Sequence, residues 1–382
     1  MKKILTVIGA RPQIIKAAAI SRAIKSHFSN ELEEVILHTG QHYDQNMSQV
    51  FFEELQIPPA DIQLSVGSGK HGEQTAKMIA GIEKELLEHS PSAVLLYGDT
   101  NSTLAGAIAA SKLHIPVVHV EAGLRSFNKS MPEEINRIMC DHVSTLLFSP
   151  TRQGLNNLLN EGFQEDAKEP YNIDNPRIYH SGDVMYDNSL FFSKLADDRS
   201  EVLKDLGDGV EGFILATVHR DHNTDDPARL TSIFEAFIEV SEKSDLKIVL
   251  PLHPRTRKML PQNLSKELLS KIESGDYVKM IPPVSFLDMV MLEKKARLII
   301  TDSGGVQKEA YFFKKGCVIL RPQTEWVELV EQGAAVIADA DKRVIVERSL
   351  EFLKESERDF PEIFGDGHAA EFICREMIDH LS

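Results

Sequence analysis

The sequence predicts an α/β protein with two doubly wound, Rossmann-like domains. Short apolar runs alternate with helical patterns, which is typical of parallel strands joined by crossover helices. A polar stretch at residues 165–176 interrupts the alternation, and the rhythm then restarts. Polar signatures stand where apolar runs end, at the sheet edge where open α/β sheets bind ligands. We therefore expect an active-site cleft between two domains, 1–175 and 176–365.

Each predicted element follows from its local pattern. Residues 4–8 form an apolar run that ends at Gly9, and Ile20, Ile24 and Phe28 then recur at helical spacing. The other strands predicted in the first half are 35–38, 94–97, 117–120 and 146–148, with helices at 73–88 and 103–112. The strands predicted after the polar stretch are 178–180, 213–218, 247–252, 298–301, 318–320 and 335–337, and residues 366–381 form a last helix.

Composition and charge limit the function classes. The chain has 382 residues and a formal net charge of −16, which argues against a general nucleic-acid binder because phosphate binding needs a basic face. Its three cysteines are widely separated and do not predict a disulfide framework or a zinc site. No apolar stretch reaches the ~18 residues of a membrane span. We expect a cytoplasmic protein without a bound metal or membrane partner.

Two signatures of the first half supply cations. Gly9, Arg11 and Lys16 lie in a strand-to-helix turn, where a helix N-terminus and a forked guanidinium suit an anion. Arg125, in the run His-Val-Glu-Ala-Gly-Leu-Arg at 119–125, is a further candidate cation. The alternative for residues 9–16 is a structural turn with a surface arginine and lysine.

Carboxylates also follow the predicted strands. Asp99 and Glu121 each come directly after an apolar run, and Glu133 follows a turn that contains Pro132. Carboxylates crowded in a dry cleft have raised pKa values, which suits general acid or base catalysis. The alternatives are that Asp99 caps the next helix and that Glu121 pairs with Arg125.

The second half has two signatures of its own. His219 and Arg220 end the run at 213–218 and are candidates to hold a phosphate. Ser303, Gly304 and Gly305 form a glycine turn that leads into a helix containing Glu309, a candidate for the hydroxyls of a ribose. One phosphate-type turn in each half favours a diphosphate. The glycines at 67–72 match a dinucleotide fingerprint literally, but no strong buried strand precedes them, so we reject that interpretation.

Together these signatures resemble the non-hydrolysing UDP-N-acetylglucosamine 2-epimerases, and the resemblance covers nearly the whole chain. The matching blocks are 9–16, 41–42, 98–100, 119–125, 132–134, 219–220, 301–305 with Glu309, 324–325 and 365–367. The resemblance implies the two-domain glycosyltransferase-B fold, with the C-terminal helix 366–382 returning to the first domain. It also implies a homodimer that acts on a UDP-sugar in surface polysaccharide precursor synthesis, without a cofactor.

The reaction that the resemblance implies has two steps. UDP leaves C1 as the C2 proton is removed, which gives a 2-acetamidoglucal, and UDP then re-adds after a proton returns to the opposite face. Residue roles follow by motif position. The residues that it implies for acid/base chemistry are Asp99, Glu121 and Glu133, and His219 would assist the departure of UDP. Those for UDP are Arg11, Lys16, His219, Ser303, Gly304, Gly305, Glu309 and, packed on uracil, Phe286.

Some positions depart from the family pattern. Gln13 stands where the family usually has glutamate, and residues 221–223 and 326–328 also differ. These departures indicate a branch that acts on sugars such as UDP-2,3-diacetamido-glucuronic acid. Gln41 and His42 fit the family's site for an activating second substrate molecule, whereas Tyr43 and Asp44 do not. A hydrolysing epimerase that releases N-acetylmannosamine and UDP, a UDP-sugar glycosyltransferase and a non-catalytic sensor remain alternatives.

Overall fold

The computed structural model describes residues 1–41, 59–207, 212–355 and 358–381. They form two units, Met1–Leu190 with Glu362–Ser382, and Phe191–Pro361. The first boundary lies at Leu190 instead of residue 175, because the strand Arg177–His180 pairs with Leu146–Ser149 in the first sheet. The prediction that residues 178–180 begin the second half is therefore wrong.

The first unit is built on a parallel sheet of seven strands in the order β3-β2-β1-β4-β5-β6-β7. Its strands are β1 (Lys2–Ile8), β2 (Leu32–His38), β3 (Ile62–Gln63), β4 (Ala93–Tyr97), β5 (Val117–Val120), β6 (Leu146–Ser149) and β7 (Arg177–His180). Its helices are α1 (Arg11–Ala23), which continues as a π-helical turn (Ile24–Phe28), α2 (His71–His89), α3 (Asn101–Lys112), α4 (Pro132–Asp141) and α5 (Arg152–Asn160). The chain leaves this unit within α6 (Val184–Arg199).

The second unit repeats the same plan with six parallel strands in the order β10-β9-β8-β11-β12-β13. Its strands are β8 (Ile214–Thr217), β9 (Ile248–Pro251), β10 (Val278–Ile281), β11 (Leu298–Thr301), β12 (Cys317–Ile319) and β13 (Ala335–Ile337). Its helices are α7 (Val202–Asp205), α8 (Asp221–Thr224), α9 (Pro227–Ser244), α10 (Pro254–Asn263), α11 (Lys266–Glu273), α12 (Phe286–Lys295), α13 (Gly304–Phe312), α14 (Val327–Glu331) and α15 (Lys342–Lys354). The predicted α/β class with two doubly wound sheets is confirmed.

The C-terminal helix α16 (Ala369–His380) belongs to the first unit, where it packs on α1. Asp187 of α6 accepts hydrogen bonds from the first two backbone amides of α16, at 3.2 Å from Ala369 and 2.7 Å from Ala370. This carboxylate satisfies donors that a helix N-terminus leaves free. Across the described part of the chain, no helix is long and apolar enough to cross a membrane.

Strand order decides which loops meet in each unit. In the first sheet β1 and β5 both pair with β4, so the loops after these three strands lie side by side. In the second sheet β8 pairs with β11, which brings the loops after them together. The strand order reverses between β1 and β4 in the first sheet and between β8 and β11 in the second. Such a reversal is the usual position of a ligand in doubly wound sheets.

Candidate functional site

The turn from β1 to α1 is fixed by the side chain of Gln13. Its Oε1 accepts hydrogen bonds from the amides of Gly9 and Ala10, at 2.9 and 3.2 Å. Its Nε2 donates to the carbonyl of Tyr97 and the hydroxyl of Thr103, both at 3.0 Å. An ionised glutamate has no proton to donate to those two oxygens, so the amide ties the loops after β1 and β4 together in a way that a carboxylate does not.

Close packing requires glycine at position 9. A Cβ there would lie 2.1 Å from the hydroxyls of Ser102 and Thr39, closer than folded structures tolerate. Packing against the chain's own side chains therefore explains why residue 9 is glycine. The predicted reason, a close approach of the backbone to a ligand, is not needed. Arg11 is exposed at the first position of α1.

Lys16 and Glu121 form an ion pair at the carboxyl edge of the first sheet. Their side chains are only 14% and 12% exposed, so solvent screens the pair weakly. Burial acts to lower the pKa of Lys16, but the charges of Glu121 and Asp99 outweigh it and raise the pKa above its ordinary value. Lys16 is therefore a permanent cation that holds the Glu121 carboxylate, and the alternative pairing of Glu121 with Arg125 is wrong.

The backbone of Glu121 is strained. Its φ is +76°, a left-handed conformation that is uncommon for a residue with a side chain. The Phe148 carbonyl accepts hydrogen bonds from the amides of both Glu121 and Ala122, each at 3.0 Å, and so holds the turn in place. Strained residues of this kind cluster at functional sites, where surrounding structure keeps them in position. The strain here directs a carboxylate to the sheet edge.

Gly98 makes room for this pair. Its φ is +62°, and a Cβ on it would lie 3.0 Å from Oε2 of Glu121 and 3.1 Å from Nζ of Lys16. The backbone conformation therefore favours glycine, and a Cβ would push against the tips of both side chains.

We expect Gly98→Ala to destabilise the fold by about 1–2 kcal/mol, the cost of a left-handed alanine, and to displace the Lys16–Glu121 pair. Denaturant unfolding and the rate of turnover check both effects. Gly72→Ala is the matched control, because a Cβ at Gly72 meets nothing within 4 Å. If the two variants unfolded and turned over alike, the proposed role of Gly98 would be refuted.

Asp99 forms a second ion pair beside the first. Its carboxylate lies 2.7 Å from the guanidinium of Arg137 in α4, whose other nitrogen lies 2.8 Å from Glu134. The cap of α3 is Thr100, whose hydroxyl accepts from the amide of Thr103 at 3.3 Å, so the alternative that Asp99 caps this helix is wrong. The Asp99 side chain is 30% exposed. Sequence reasoning missed Arg137, although its spacing from Glu133 and Glu134 along a helix is a usable signal.

The two glutamates after Pro132 have different environments. Glu134 is buried and accepts hydrogen bonds from the amides of Ser126 and Phe127, at 2.8 and 2.9 Å, so it holds the loop before α4. Burial acts to raise its pKa, but these bonds and Arg137 lower it below the ordinary range. Glu133 is exposed in the first turn of α4. Its predicted catalytic role remains a prediction.

Arg125 does not hold a ligand, contrary to the prediction. Its side chain is 1% exposed and lies 2.7 Å from both Asp141 and Glu161. Asp141 also lies 2.7 Å from His119, whose other nitrogen is 2.8 Å from the carbonyl of Gly98. The run at 119–125 therefore directs only Glu121 to the sheet edge, while His119 and Arg125 build the support behind it.

The second unit centres on Asp302, a buried carboxylate within the signature at 301–305 for which the sequence suggested no role. It accepts hydrogen bonds from the amides of His219 and Arg220, both at 2.9 Å, and from the side chain of Asn223 at 3.1 Å. The imidazole of His219 lies 3.2 Å from the same carboxylate and is one-third exposed. Burial lowers the pKa of His219, and the charge of Asp302 acts to raise it. His253 and Arg220 lower the pKa further, so the net shift is downward and the ring is neutral near pH 7.

The N-terminus of α13 has open space. Ser303 precedes the helix without capping it through its side chain, and its amide donates to Thr301 at 2.9 Å. A Cβ on Gly304 would meet nothing closer than 3.5 Å, and one on Gly305 nothing closer than 4.0 Å. The folded chain itself therefore makes no demand for glycine at either position. A helix N-terminus with this much room suits a phosphate.

Glu309 and Phe286 lie on neighbouring helices of this unit. Glu309 is half-buried in α13, near Gly305. Phe286 begins α12 and is half-buried, and its ring packs edge-on against Phe192 at 5.1 Å between centroids.

In the first unit, Gln41 accepts hydrogen bonds from the amide and hydroxyl of Ser102, at 3.2 and 2.8 Å. His42 lies outside the described residues.

A sequence model for UDP-N-acetylglucosamine 2-epimerases matches residues 24–378. The chain belongs to the UDP-N-acetylglucosamine 2-epimerase family. The resemblance inferred from the sequence is thereby confirmed.

Two curated relatives of this epimerase family are similar along almost their whole length. The UDP-2,3-diacetamido-2,3-dideoxy-D-glucuronate 2-epimerase of Pseudomonas aeruginosa is 50% identical over 375 residues, which are 98% of this chain and 99% of the relative. A UDP-N-acetylglucosamine 2-epimerase homolog of Methanococcus maripaludis is 48% identical over 96% of this chain and 97% of its own.

A solved structure in the epimerase family has the same fold. The UDP-GlcNAc 2-epimerase of Methanocaldococcus jannaschii, crystallised with UDP-GlcNAc and UDP, is 42% identical, with a TM-score of 0.79. The match covers 98% of this chain and 99% of that one. Family membership and fold are therefore supported by both sequence and structure.

Proposed function

We propose that the protein is a non-hydrolysing epimerase that inverts C2 of a UDP-N-acetylhexosamine by elimination and re-addition of UDP. The first unit supplies the acid/base carboxylates, and the second unit holds the diphosphate and uridine. The observation that supports this most strongly is the pair of ion-paired carboxylates, Glu121 and Asp99, at the ends of neighbouring strands.

The chemistry explains why more than one carboxylate is needed. A base removes the C2 proton, the C1–O bond breaks, and its electron pair leaves with UDP while a C1=C2 double bond forms. In the second step an oxygen of UDP attacks C1, and C2 takes a proton on the opposite face. Because the proton leaves from one face and returns to the other, two acid/base groups suit the reaction better than one. Glu121 and Asp99 are our candidates, with Glu133 as a third.

Fixed cations keep these carboxylates in position. Lys16 lies against Glu121, and Arg137 lies 2.7 Å from Asp99. Each ion pair fixes the position of one carboxylate at the end of its strand. Positioned carboxylates contribute about 10²–10⁴-fold to a proton transfer.

The second unit offers three kinds of group to UDP. The α13 N-terminus, with Ser303, Gly304 and Gly305, suits the phosphates. His219 lies in the loop after β8, and its amide donates to Asp302 in the loop that leads into α13. Glu309 is our candidate for the ribose and Phe286 for uracil, and both residues are half-buried. Arg11 of the first unit is our candidate for a further contact to the diphosphate.

UDP binding should take up a proton at His219. The ring is neutral in the free protein, because burial holds its pKa below 6.5, and a nearby diphosphate raises that pKa again. Calorimetry at pH 7 in two buffers of different ionisation enthalpy measures the uptake. We expect uptake in the wild type and in His253→Asn but none in His219→Asn; wild-type binding without uptake would refute this role.

The sugar itself follows from the relatives. The relative that is 50% identical is named for the diacetamido glucuronate, so we infer that this uronic acid, in place of plain N-acetylglucosamine, is the substrate. A panel of both UDP-sugars, compared by kcat/KM, tests the inference. Faster turnover of UDP-N-acetylglucosamine would contradict it.

Incubation with each UDP-sugar in deuterated water, followed by NMR, tests the proposed function. We expect deuterium at C2 of both epimers while UDP remains attached. Free N-acetylmannosamine or its uronic analogue with free UDP would identify a hydrolysing epimerase instead. Sugar transfer to an acceptor without C2 exchange would identify a glycosyltransferase, and binding without any exchange would identify a sensor.

We further infer a cytoplasmic homodimer that serves surface polysaccharide precursor synthesis. Ile135 and Met139 are exposed apolar side chains four residues apart on α4, which is compatible with a contact between copies. Light scattering of the purified protein tests the dimer, and a monomer at micromolar concentration would contradict it.

A further inference from the structure

A buried carboxyl group in the second unit has no role in the chemistry described above. Glu293 lies in α12 and is 1% exposed. No backbone amide, hydroxyl or cation in the described part of the chain donates a hydrogen bond to either of its oxygens. The group that its carboxyl faces is the carboxyl of Glu309, on the adjacent helix α13.

Electrostatics decides the state of this pair. Burial of an ionised carboxylate without a donor is costly, and a second carboxylate beside it adds repulsion. Burial, together with Glu309, raises the pKa of Glu293 well above its ordinary range. Burial also raises the pKa of Glu309 above its ordinary value, although the hydrogen bond from Glu293 and the charge of Lys308 partly offset that rise. Glu293 is therefore the partner that keeps the proton, and Glu309 is the acceptor.

The helix positions place this pair beside the candidate uridine site. Phe286 and Glu293 are seven residues apart in α12, so they lie on one face, about 10 Å apart along the axis. Glu309 follows Gly305 by one helical turn, and its Oε2 lies 4.0 Å from where a Cβ on Gly305 would stand. Base, ribose and diphosphate groups thus follow one another along two packed helices.

We propose that Glu293 is a positioning residue of the uridine site: its protonated carboxyl donates a hydrogen bond to Glu309 and turns that carboxylate toward the ribose 2′-hydroxyl of UDP. This proposal rests on the proposed function, which assigns the ribose to Glu309. A protonated carboxyl has one donor, and Glu309 is the acceptor that it faces. With one oxygen of Glu309 held in this way, the other is free to accept from the ribose.

Two variants separate positioning from mere packing. Glu293→Gln keeps a donor toward Glu309 in nearly the same volume, whereas Glu293→Leu keeps the volume and removes the donor. We expect the wild type and E293Q to bind UDP about tenfold more tightly than 2′-deoxy-UDP, a loss typical of one hydrogen bond to a charged group. E293L should lose most of this preference through weaker UDP binding, with the affinity for 2′-deoxy-UDP unchanged.

Stability supplies the second measurement. Because E293L removes a buried carboxyl, its thermal midpoint should equal or exceed that of the wild type while its ribose preference falls. Glu309→Gln should show the same loss of preference, and the double variant with E293L should lose little more, because both changes remove one interaction.

The outcomes distinguish this proposal from the proposed function. Wild-type ribose preference in E293L, or an equal loss of affinity for both nucleotides, would overturn the role of Glu293. A wild-type protein that binds UDP with the expected preference but does not epimerise a UDP-sugar would overturn the proposed function alone. A wild-type protein that does not bind UDP would overturn both.

Discussion

Glu121→Gln should nearly abolish exchange of the C2 hydrogen with solvent while UDP still binds. The amide keeps the shape of the side chain but cannot take a proton, so we expect the exchange rate to fall by about 10³-fold. UDP affinity should change little, because the groups that we assign to the nucleotide lie mostly in the second unit. NMR in deuterated water measures the exchange, and calorimetry measures the affinity.

A matched variant shows whether the loss is specific to Glu121. Glu161 is also ion-paired in the first unit, 2.7 Å from Arg125, but behind the sheet edge. Glu161→Gln should exchange at nearly the wild-type rate, whatever it does to stability. Equal rates for E121Q and the wild type would rule out Glu121 as the base.

Asp302→Ala should both destabilise the second unit and weaken UDP binding. The change leaves the amides of His219 and Arg220 and the side chain of Asn223 without their buried acceptor. We expect a loss of about 3 kcal/mol in the free energy of unfolding, because three donors lose a charged, buried acceptor. We also expect UDP affinity to fall by about tenfold or more, because the loop that carries His219 loses its anchor.

The surface pair of Asp225 and Arg255 provides the control for this experiment. Both side chains are more than 40% exposed, so Asp225→Ala should cost less than about 1 kcal/mol and leave UDP binding unchanged. Denaturant unfolding and calorimetry are used for both variants. Asp302→Ala with wild-type stability and affinity would contradict the network described for this loop.

The fold was predictable where strands are buried on both faces. Residues 93–97 and 298–301 are fully buried, and apart from Thr301 at the end of the second they form apolar runs. β3 and β10 were missed because they are edge strands: β3 has two residues, and β10 includes Lys279 and is mostly half-buried. β7 was assigned to the wrong half because only its pairing with β6, and not its own sequence, places it in the first sheet.

The site was predictable where a charge ends a buried strand. Glu121 and Asp99 met that criterion, and both lie at the sheet edge. Arg125 met a similar criterion, but its partners Asp141 and Glu161 come from α4 and the end of α5, and contacts between distant segments are not visible in the sequence. Glu293 was missed for the same reason, because nothing in its helix indicates that it faces Glu309.

Positional isotope exchange tests the elimination mechanism most directly. The UDP-sugar is prepared with ¹⁸O in the bridge between C1 and the β-phosphorus, incubated with the protein, and followed by ³¹P NMR. If the C1–O bond breaks and re-forms, the label moves from the bridge into the non-bridging β-phosphate oxygens as C2 exchanges with solvent, and Glu121→Gln suppresses both processes. Exchange at C2 with the ¹⁸O retained entirely in the bridge would contradict departure and return of UDP.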